Sequence, residues 1–347
     1  MNHTIRTTKA QANMKYKKTT TKLGEHKIIQ IIQKNLTLPN MPVPFGDDIS
    51  AINIDKEKAA VLKTDMLVSK TDVPKQMSLY QAARKAIVMN VSDFASKGVQ
   101  PSAALAALGL PRRFTQKDVK EIARGLDAGA QEYGTYVIGG DTNEASDFIV
   151  SISLFGIAEK SKLMLRNGAK EGNILAVTGF FGKPSAGIRL LQDKNCNADK
   201  KSRETLLRSV FLPQARLEEG LALGKCGAVT ASIDSSDGLA WSLHEITQLS
   251  KIGFEIDNIP IAEEVVEFAL KNKIEASELA LYGGEEYEII VAVKPKMWKA
   301  AKEAVEAVGG QLLRIGKATS KQGIFLNVNG KHQAVEARGW EHFKSPI

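Results

Sequence analysis

Carboxylates set beside glycines recur at four places in this 347-residue chain: Gly46-Asp47-Asp48, Gly139-Gly140-Asp141-Thr142, Asp234-Ser235-Ser236-Asp237-Gly238 and Gly283-Gly284-Glu285-Glu286. Hard divalent cations take oxygen ligands, and glycine lets the backbone come close to a bound group. Brought together, such clusters would hold several cations against a polyphosphate, which points to Mg²⁺-dependent chemistry on a nucleotide. The strongest single motif is the one at Asp234, where an apolar run delivers two carboxylates and a hydroxyl to a helix start whose N–H groups favour phosphate oxygens. Helix capping by Asp or Ser is its plain alternative. Taken singly, Gly46-Asp47-Asp48 and Gly140-Asp141 read as turns.

Asp93 stands in a helical stretch rich in Ala, Val, Ile and Met, where Asp is a poor helix former. Asn90, Asp93 and Lys97 share one face of it, either a solvated edge or the third wall of a metal site. The segment Gly179-Phe180-Phe181-Gly182, between a strand and a helix, offers N–H groups to phosphate or is simply a tight turn. Trp241 and His244 read as packing residues. No Gly-x-x-x-x-Gly-Lys-[Ser/Thr], Gly-x-Gly-x-x-Gly or His-Glu-x-x-His sequence occurs, so phosphate handling falls to the carboxylates with metals between them.

The elements that must position these groups follow from periodicity. Residues 49–54 and 59–64 predict a hairpin whose ends bring Asp47 and Asp48 near Asp65. Residues 79–97 predict a long helix closed by Gly98, 101–110 a strand, and 115–134 a second long helix. Residues 136–138 predict a short strand feeding Gly139-Gly140-Asp141, and 148–157 a further strand. The pattern restarts beyond Glu159, with strands at 174–178, 228–233, 286–293, 311–315 and 324–328, and helices at 238–251, 262–271 and 298–308. The expected architecture is α/β (α+β) in two domains, 28–158 and 159–347.

Composition excludes several classes. An apolar share of 43% and a charged share of 25% are those of a globular protein, and no run reaches the roughly 18 apolar residues of a membrane span. Cytoplasmic location is the expectation. Cys196 and Cys226 form no Cys-x-x-Cys pair, which speaks against zinc, redox or disulfide roles. Of the net charge of +8, residues 1–27 hold +6, in a Thr/Lys-rich arm expected to be disordered. Without a folded basic face to continue it, such an arm binds phosphate backbones weakly, and nucleic acid is not expected as a partner.

In order along the chain, Phe45-Gly46-Asp47-Asp48, residues 63–68, residues 89–98, Gly139-Gly140-Asp141-Thr142, residues 165–169, Asp234-Ser235-Ser236-Asp237-Gly238, residues 283–288 and Gly339-Trp340-Glu341-His342-Phe343 resemble the thiamine-monophosphate kinase family. That family belongs to the superfamily of aminoimidazole-ribonucleotide synthetase. The resemblance implies transfer of the γ-phosphoryl group of ATP to thiamine monophosphate, giving thiamine diphosphate and ADP. It implies several Mg²⁺ ions on Asp47, Thr64, Asp65, Asp93, Asp141, Asp234 and Asp237, with Asp47, Asp93, Asp141 and Asp237 central to catalysis. Gly140, Asp141, Arg166 and Ser236 match nucleotide-binding positions, and Asp72, Glu285 and Trp340 match the acceptor end.

The resemblance further implies a homodimer in which two N-terminal sheets close a barrel, beside a sandwich-like C-terminal domain. Two residues depart from the family pattern. Lys63 stands where Ser or Thr is usual, placing an ammonium where one cation would bind, and Asp72 stands where His is common. A kinase of another small phosphorylated acceptor, or an inactive ATP-binding relative, are the alternatives these departures leave open.

Overall fold

A computed structural model describes residues 19–328 and 330–343; residues 1–18 of the basic arm lie outside the described residues. Met41–Gly339 forms one unit. The described parts of Met1–Asn40 and Trp340–Ile347 form the other. In that smaller unit the helix Glu25–Lys34 follows a one-turn helix, Thr20–Leu23, and Glu25 accepts a hydrogen bond from the His342 backbone N–H at 3.2 Å.

The larger unit contains two sheets. The first comprises β1 (Ser50–Asn53), β2 (Lys58–Val68), β3 (Pro101–Leu110), β4 (Val137–Glu144) and β5 (Ile149–Glu159), in the order β1-β2-β5-β3-β4. Its pairings are antiparallel except β3 with β4. The second comprises β6 (Ile174–Val177), β7 (Val229–Asp234), β8 (Gly253–Ile256), β9 (Ile289–Val293), β10 (Leu313–Thr319), β11 (Gly323–Val328) and β12 (Lys331–Ala334), in the order β12-β11-β8-β10-β6-β9-β7. All five residues of β9 are buried, as an apolar run covered on both faces requires. Each such Ile or Val contributes about 1.5–3 kcal/mol.

The helix Leu79–Ser96 is the element on which the site depends. It starts from a reciprocal capping box, in which Ser78 Oγ accepts from the Gln81 N–H and Gln81 Oε1 accepts from the Ser78 N–H. It packs on β2 and β5, on the helices Gln116–Glu132 and Leu217–Cys226, and on β7 and β9 of the second sheet. A helix covered on all sides needs apolar residues all round, and Ala83, Ile87, Val88, Val91 and Phe94 supply them. Its polar residues Lys85, Asn90, Ser92, Asp93 and Ser96 are buried as well, so each needs a partner.

Several elements differ from the sequence-based expectation. Gly139-Gly140-Asp141-Thr142 lies inside β4 and not beyond a strand end, because parallel pairing with β3 continues to Glu144. β2 runs on to Val68, past Asp65. The helices Lys200–Phe211, Leu217–Cys226 and Ala276–Tyr282, with β8 and β12, were not among the elements expected from the sequence. Within the arm assigned to residues 1–27, Thr20–Leu23 forms a one-turn helix.

Candidate functional site

Three segments distant in sequence converge on one acidic centre. The loop before β1 brings Asp47 and Asp48, the helix Leu79–Ser96 brings Asp93, and the end of β7 brings Asp234. One carboxylate oxygen from each of Asp48, Asp93 and Asp234 lies within 4.8 Å of the others, and all three residues are buried. As the hairpin pairing requires, Asp65 sits close by on β2, where its backbone N–H donates to Asn90 Oδ1 at 3.0 Å.

Cations and hydroxyls hold these groups. The fully buried Lys97 ammonium lies 2.8 Å from Asp47 Oδ1 and 2.6 Å from Asp48 Oδ2, and donates to the Ser232 carbonyl at 2.7 Å. Arg166 donates from Nε to Asp48 Oδ1 at 2.6 Å, from its backbone N–H to Asp47 Oδ2 at 2.9 Å, and from its guanidinium to the Gly46 carbonyl at 3.0 Å and Glu245 at 3.1 Å. Lys63 Nζ lies 3.2 Å from Asp65 and 2.9 Å from Asp93. Ser92 Oγ donates to Asp234 Oδ2 at 2.6 Å, and Ser96 Oγ to Asp48 Oδ2 at 2.9 Å. The Asn90, Asp93 and Lys97 stripe is thus a wall of this centre.

Electrostatics divides the carboxylates. Burial raises the pKa of Asp48, but the charges of Arg166 and Lys97 overcome it and hold this carboxyl well below the usual range. Asp234 is pushed up to about 6 by burial and by the charge of Asp48. Burial drives Asp93 well above its ordinary value despite Lys63, with Asp234, Asp65 and Asp48 adding repulsion. Burial and mutual repulsion still raise Asp93 and Asp234 in the presence of Lys63, Lys97 and Arg166, so the centre has room for further positive charge. Its donors are hard carboxylate oxygens, and the Ser235 hydroxyl beside Asp234 is buried without a hydrogen-bond partner. This donor set fits Mg²⁺.

The other residues singled out from the sequence fall as follows. Thr64 is turned from Lys63 and Asp65 by strand alternation, and its hydroxyl donates to the Ile152 carbonyl at 3.0 Å. Gly140 pairs with Ala106, which pairs with Ile152 and through it with Asp65, so one cross-strand row links them. A Cβ on Gly140 would stand 1.8 Å from the Ala106 carbonyl oxygen, so only glycine fits there. Asp141 is exposed on the edge strand β4, in register with Ala107 and outside the buried triad. Ser236 is exposed at the turn after β7, with its carbonyl accepting from the Glu285 N–H at 2.7 Å. Asp237 is half-buried, and its charge acts with those of Glu285, Asp234 and Asp65 on the buried Tyr287 hydroxyl.

Glu285 and Tyr287 both adopt left-handed backbone conformations, at φ 66° and 54°. The Glu285 carboxylate is ion-paired with the buried Lys85, which also donates to the Asp72 carbonyl at 3.0 Å. Asp72 accepts from the Val68 N–H at 2.8 Å. Beside Glu285 lies a cavity of about 190 Å³ lined by Phe180, Lys183, Arg208, Arg216 and Glu286 among others. The N–H of Gly182, one of those available to phosphate in the 179–182 turn, donates instead to Glu286 Oε1 at 2.5 Å. Trp340 belongs to the smaller unit, half exposed and edge-on to His342.

Sequence reasoning passed over Lys85, Ser92 and Ser96 as site residues. Asp48 and Lys97 stood inside segments it had flagged. The partners of Lys85 and Ser92, Glu285 and Asp234, lie too far along the chain for any local spacing to pair them.

Comparison with known proteins accords with this arrangement. Residues 46–158 match the model described as AIR synthase related protein, N-terminal domain, and residues 170–329 match AIR synthase related protein, C-terminal domain. The chain is 34% identical over 326 residues to the thiamine-monophosphate kinase of Nitrosopumilus maritimus, covering 93% of this chain and 99% of that protein. It is 34% identical over 302 residues to that of Pyrococcus horikoshii, covering 86% and 91%. Among solved structures, AaThiL complexed with AMPPCP and TMP superposes with a TM-score of 0.82 at 26% identity, over 94% of this chain and 99% of that one.

Proposed function

We propose that this chain, which belongs to the thiamine-monophosphate kinase family of AIR synthase related proteins, transfers the γ-phosphoryl group of ATP to the phosphate of thiamine monophosphate, giving thiamine diphosphate and ADP. The observation that carries the reading is the convergence of buried Asp48, Asp93 and Asp234 from both family-matched segments. Phosphoryl transfer asks a protein chiefly for positioning and charge neutralisation. A phosphate acceptor already bears an anionic oxygen, so the chain needs no Ser, Cys or His nucleophile or base. Bound at Asp48, Asp93 and Asp234, Mg²⁺ would neutralise phosphate charge where two polyanions meet.

The chain's own residues do the rest. Lys97, Lys63 and Ser92 fix the carboxylates before substrate arrives, which removes reorganisation from the reaction itself. Arg166, one-fifth exposed and anchored to Asp48, is assigned to the nucleotide through the family pattern. Gly140, held against the Ala106 backbone, is assigned to the nucleotide through the family pattern. Lys85 holds Glu285 at the acceptor end, and the aromatic and cationic walls of the adjoining cavity suit an aromatic molecule that carries phosphate. Asp47, Asp141, Asp237, Ser236, Asp72 and Trp340 complete the assigned set through the family pattern, whereas Asp65 is paired with Lys63 and Thr64 lies on the opposite face of β2.

Residues 28–158 are assigned as the nucleotide-binding and dimerisation domain and 159–347 as the C-terminal domain, a division supported by the two sheets. The outer face of the first sheet exposes Ile52, Leu62, Met66, Leu105, Phe155 and Ile157, an apolar surface that supports closure of a barrel with a second copy. Among the described residues no helix is long and apolar enough to cross a membrane. We assign the enzyme to the cytoplasm, where its nucleotide is abundant.

The test is incubation of the purified chain with ATP, Mg²⁺ and thiamine monophosphate, with products resolved by anion exchange. Thiamine diphosphate and ADP should form in equal amounts. ADP release indifferent to thiamine monophosphate, or no diphosphate product, would reject the assignment.

A further inference from the structure

We propose that the Lys63 ammonium is a built-in cation of the acidic centre, filling the space between Asp65 and Asp93 so that no divalent ion is held there. The proposal rests on the kinase reading only for the existence of a metal centre. Lys63 and Asp65 lie two apart on β2, so strand alternation turns both toward Asp93. The ammonium reaches Asp65 Oδ1 at 3.2 Å and Asp93 Oδ2 at 2.9 Å, with its side chain less than one-fifth exposed. An ammonium offers three donors and no lone pair, so it cannot be a ligand and can only take a cation's place. A divalent ion held by the same two carboxylates would meet the like charge of Nζ at close range.

The cations already present divide the centre. Lys97 and Arg166 serve Asp47 and Asp48, and Lys63 serves Asp65 and Asp93. Asp234 takes a hydrogen bond from a neutral hydroxyl, that of Ser92. The space facing Asp234, Asp48 and Asp93 is therefore where a divalent ion belongs, and the Asp65 side is served by the protein itself. A fixed ammonium supplies one positive charge at every Mg²⁺ concentration, so the chain requires one divalent ion fewer than its carboxylates alone would hold.

The experiment counts Mn²⁺ bound per chain by electron paramagnetic resonance, on the full protein without nucleotide, so no activity enters the measurement. Lys63→Ser should bind one Mn²⁺ more than the wild type, and Lys63→Arg, which keeps the charge, should bind the wild-type number. An equal or lower count in Lys63→Ser overturns the proposal. Wild-type crystals soaked in Mn²⁺ give an answer independent of how the variants fold. Anomalous density confined to the Asp48, Asp93 and Asp234 side supports the assignment, and a peak between Asp65 and Asp93 overturns it. Equal, non-zero counts in the wild type and Lys63→Ser defeat only the lysine assignment. A wild type that binds no Mn²⁺ defeats the metal reading and this proposal together.

Discussion

Replacing Lys97 by Met removes the ammonium that joins Asp47, Asp48 and the Ser232 carbonyl while keeping most of the side-chain volume. All four groups of this contact lie in the interior, with Lys97 and Asp48 side chains fully buried and Asp47 1% exposed. Breaking a buried ion pair from one side leaves a charge that neither water nor a partner can satisfy, at a cost of about 3–5 kcal/mol. Arg166 remains on Asp48, which places the expected loss toward the lower end of that range. Three kcal/mol corresponds to about a hundredfold change in the folding equilibrium.

Equilibrium urea unfolding at pH 7 in a chelator, followed by far-ultraviolet circular dichroism, measures the loss. Lys97→Met combined with Asp47→Asn should recover part of the stability, because Arg166 keeps Asp48 while Asp47 loses its ion pair, and that orphaned charge is then gone. Asp48 is held below the usual carboxylate range, so its favourable contribution is complete above about pH 4 and disappears as pH falls through its folded value. The penalty of Lys97→Met should accordingly shrink in acid. A loss under about 1 kcal/mol, or a double variant no more stable than the single one, would refute the view that these charges depend on one another.

Asp234 titrates in the opposite sense. Its pKa is raised from 3.8 to about 6, so the folded protein takes up this proton more readily than the unfolded chain. Metal-free protein should therefore gain stability between about pH 7 and pH 4, by up to about 3 kcal/mol, and thermal melts should show a weaker slope in Asp234→Asn. A flat profile would refute this. Asp93→Asn should lower turnover by about 10²–10³-fold with the circular dichroism spectrum preserved, the range for losing one preorganised charge-stabilising group, and near-normal turnover would remove Asp93 from the centre. Light scattering should give twice 37.7 kDa for the wild type and about 37.7 kDa for Leu62→Glu, which sets a charge in the exposed apolar sheet face; a wild-type monomer would remove the barrel.

Legibility of the site in the sequence followed the range of the contacts. The hairpin that joins Asp48 to Asp65 is local, and the Asn90, Asp93, Lys97 spacing lies within one helix, so both were readable. Gly139-Gly140 read as a turn because glycine usually punctuates a strand, yet pairing with β3 carries the chain straight through it. Lys63, Thr64 and Asp65 were legible as a group but not as two faces, since only the register with β5 decides which side meets the helix. The links from Asp48 to Arg166 and from Ser92 to Asp234 span 118 and 142 residues, and no local pattern encodes them.

The helix Leu79–Ser96 works as a ruler. Lys85 grips Glu285, which we assign to the acceptor, and Asp93 belongs to the acidic triad, eight positions apart on one rigid rod, so the helical rise fixes their axial offset at about 12 Å. Inserting a single residue between them would swing Asp93 by about 100° and advance it by about 1.5 Å, parting the Glu285 contact from the triad without replacing either residue. Spacing between the Glu285 contact and the acidic triad is thus graduated in helical steps, and this stretch of chain should tolerate exchange of side chains far better than any change in their number.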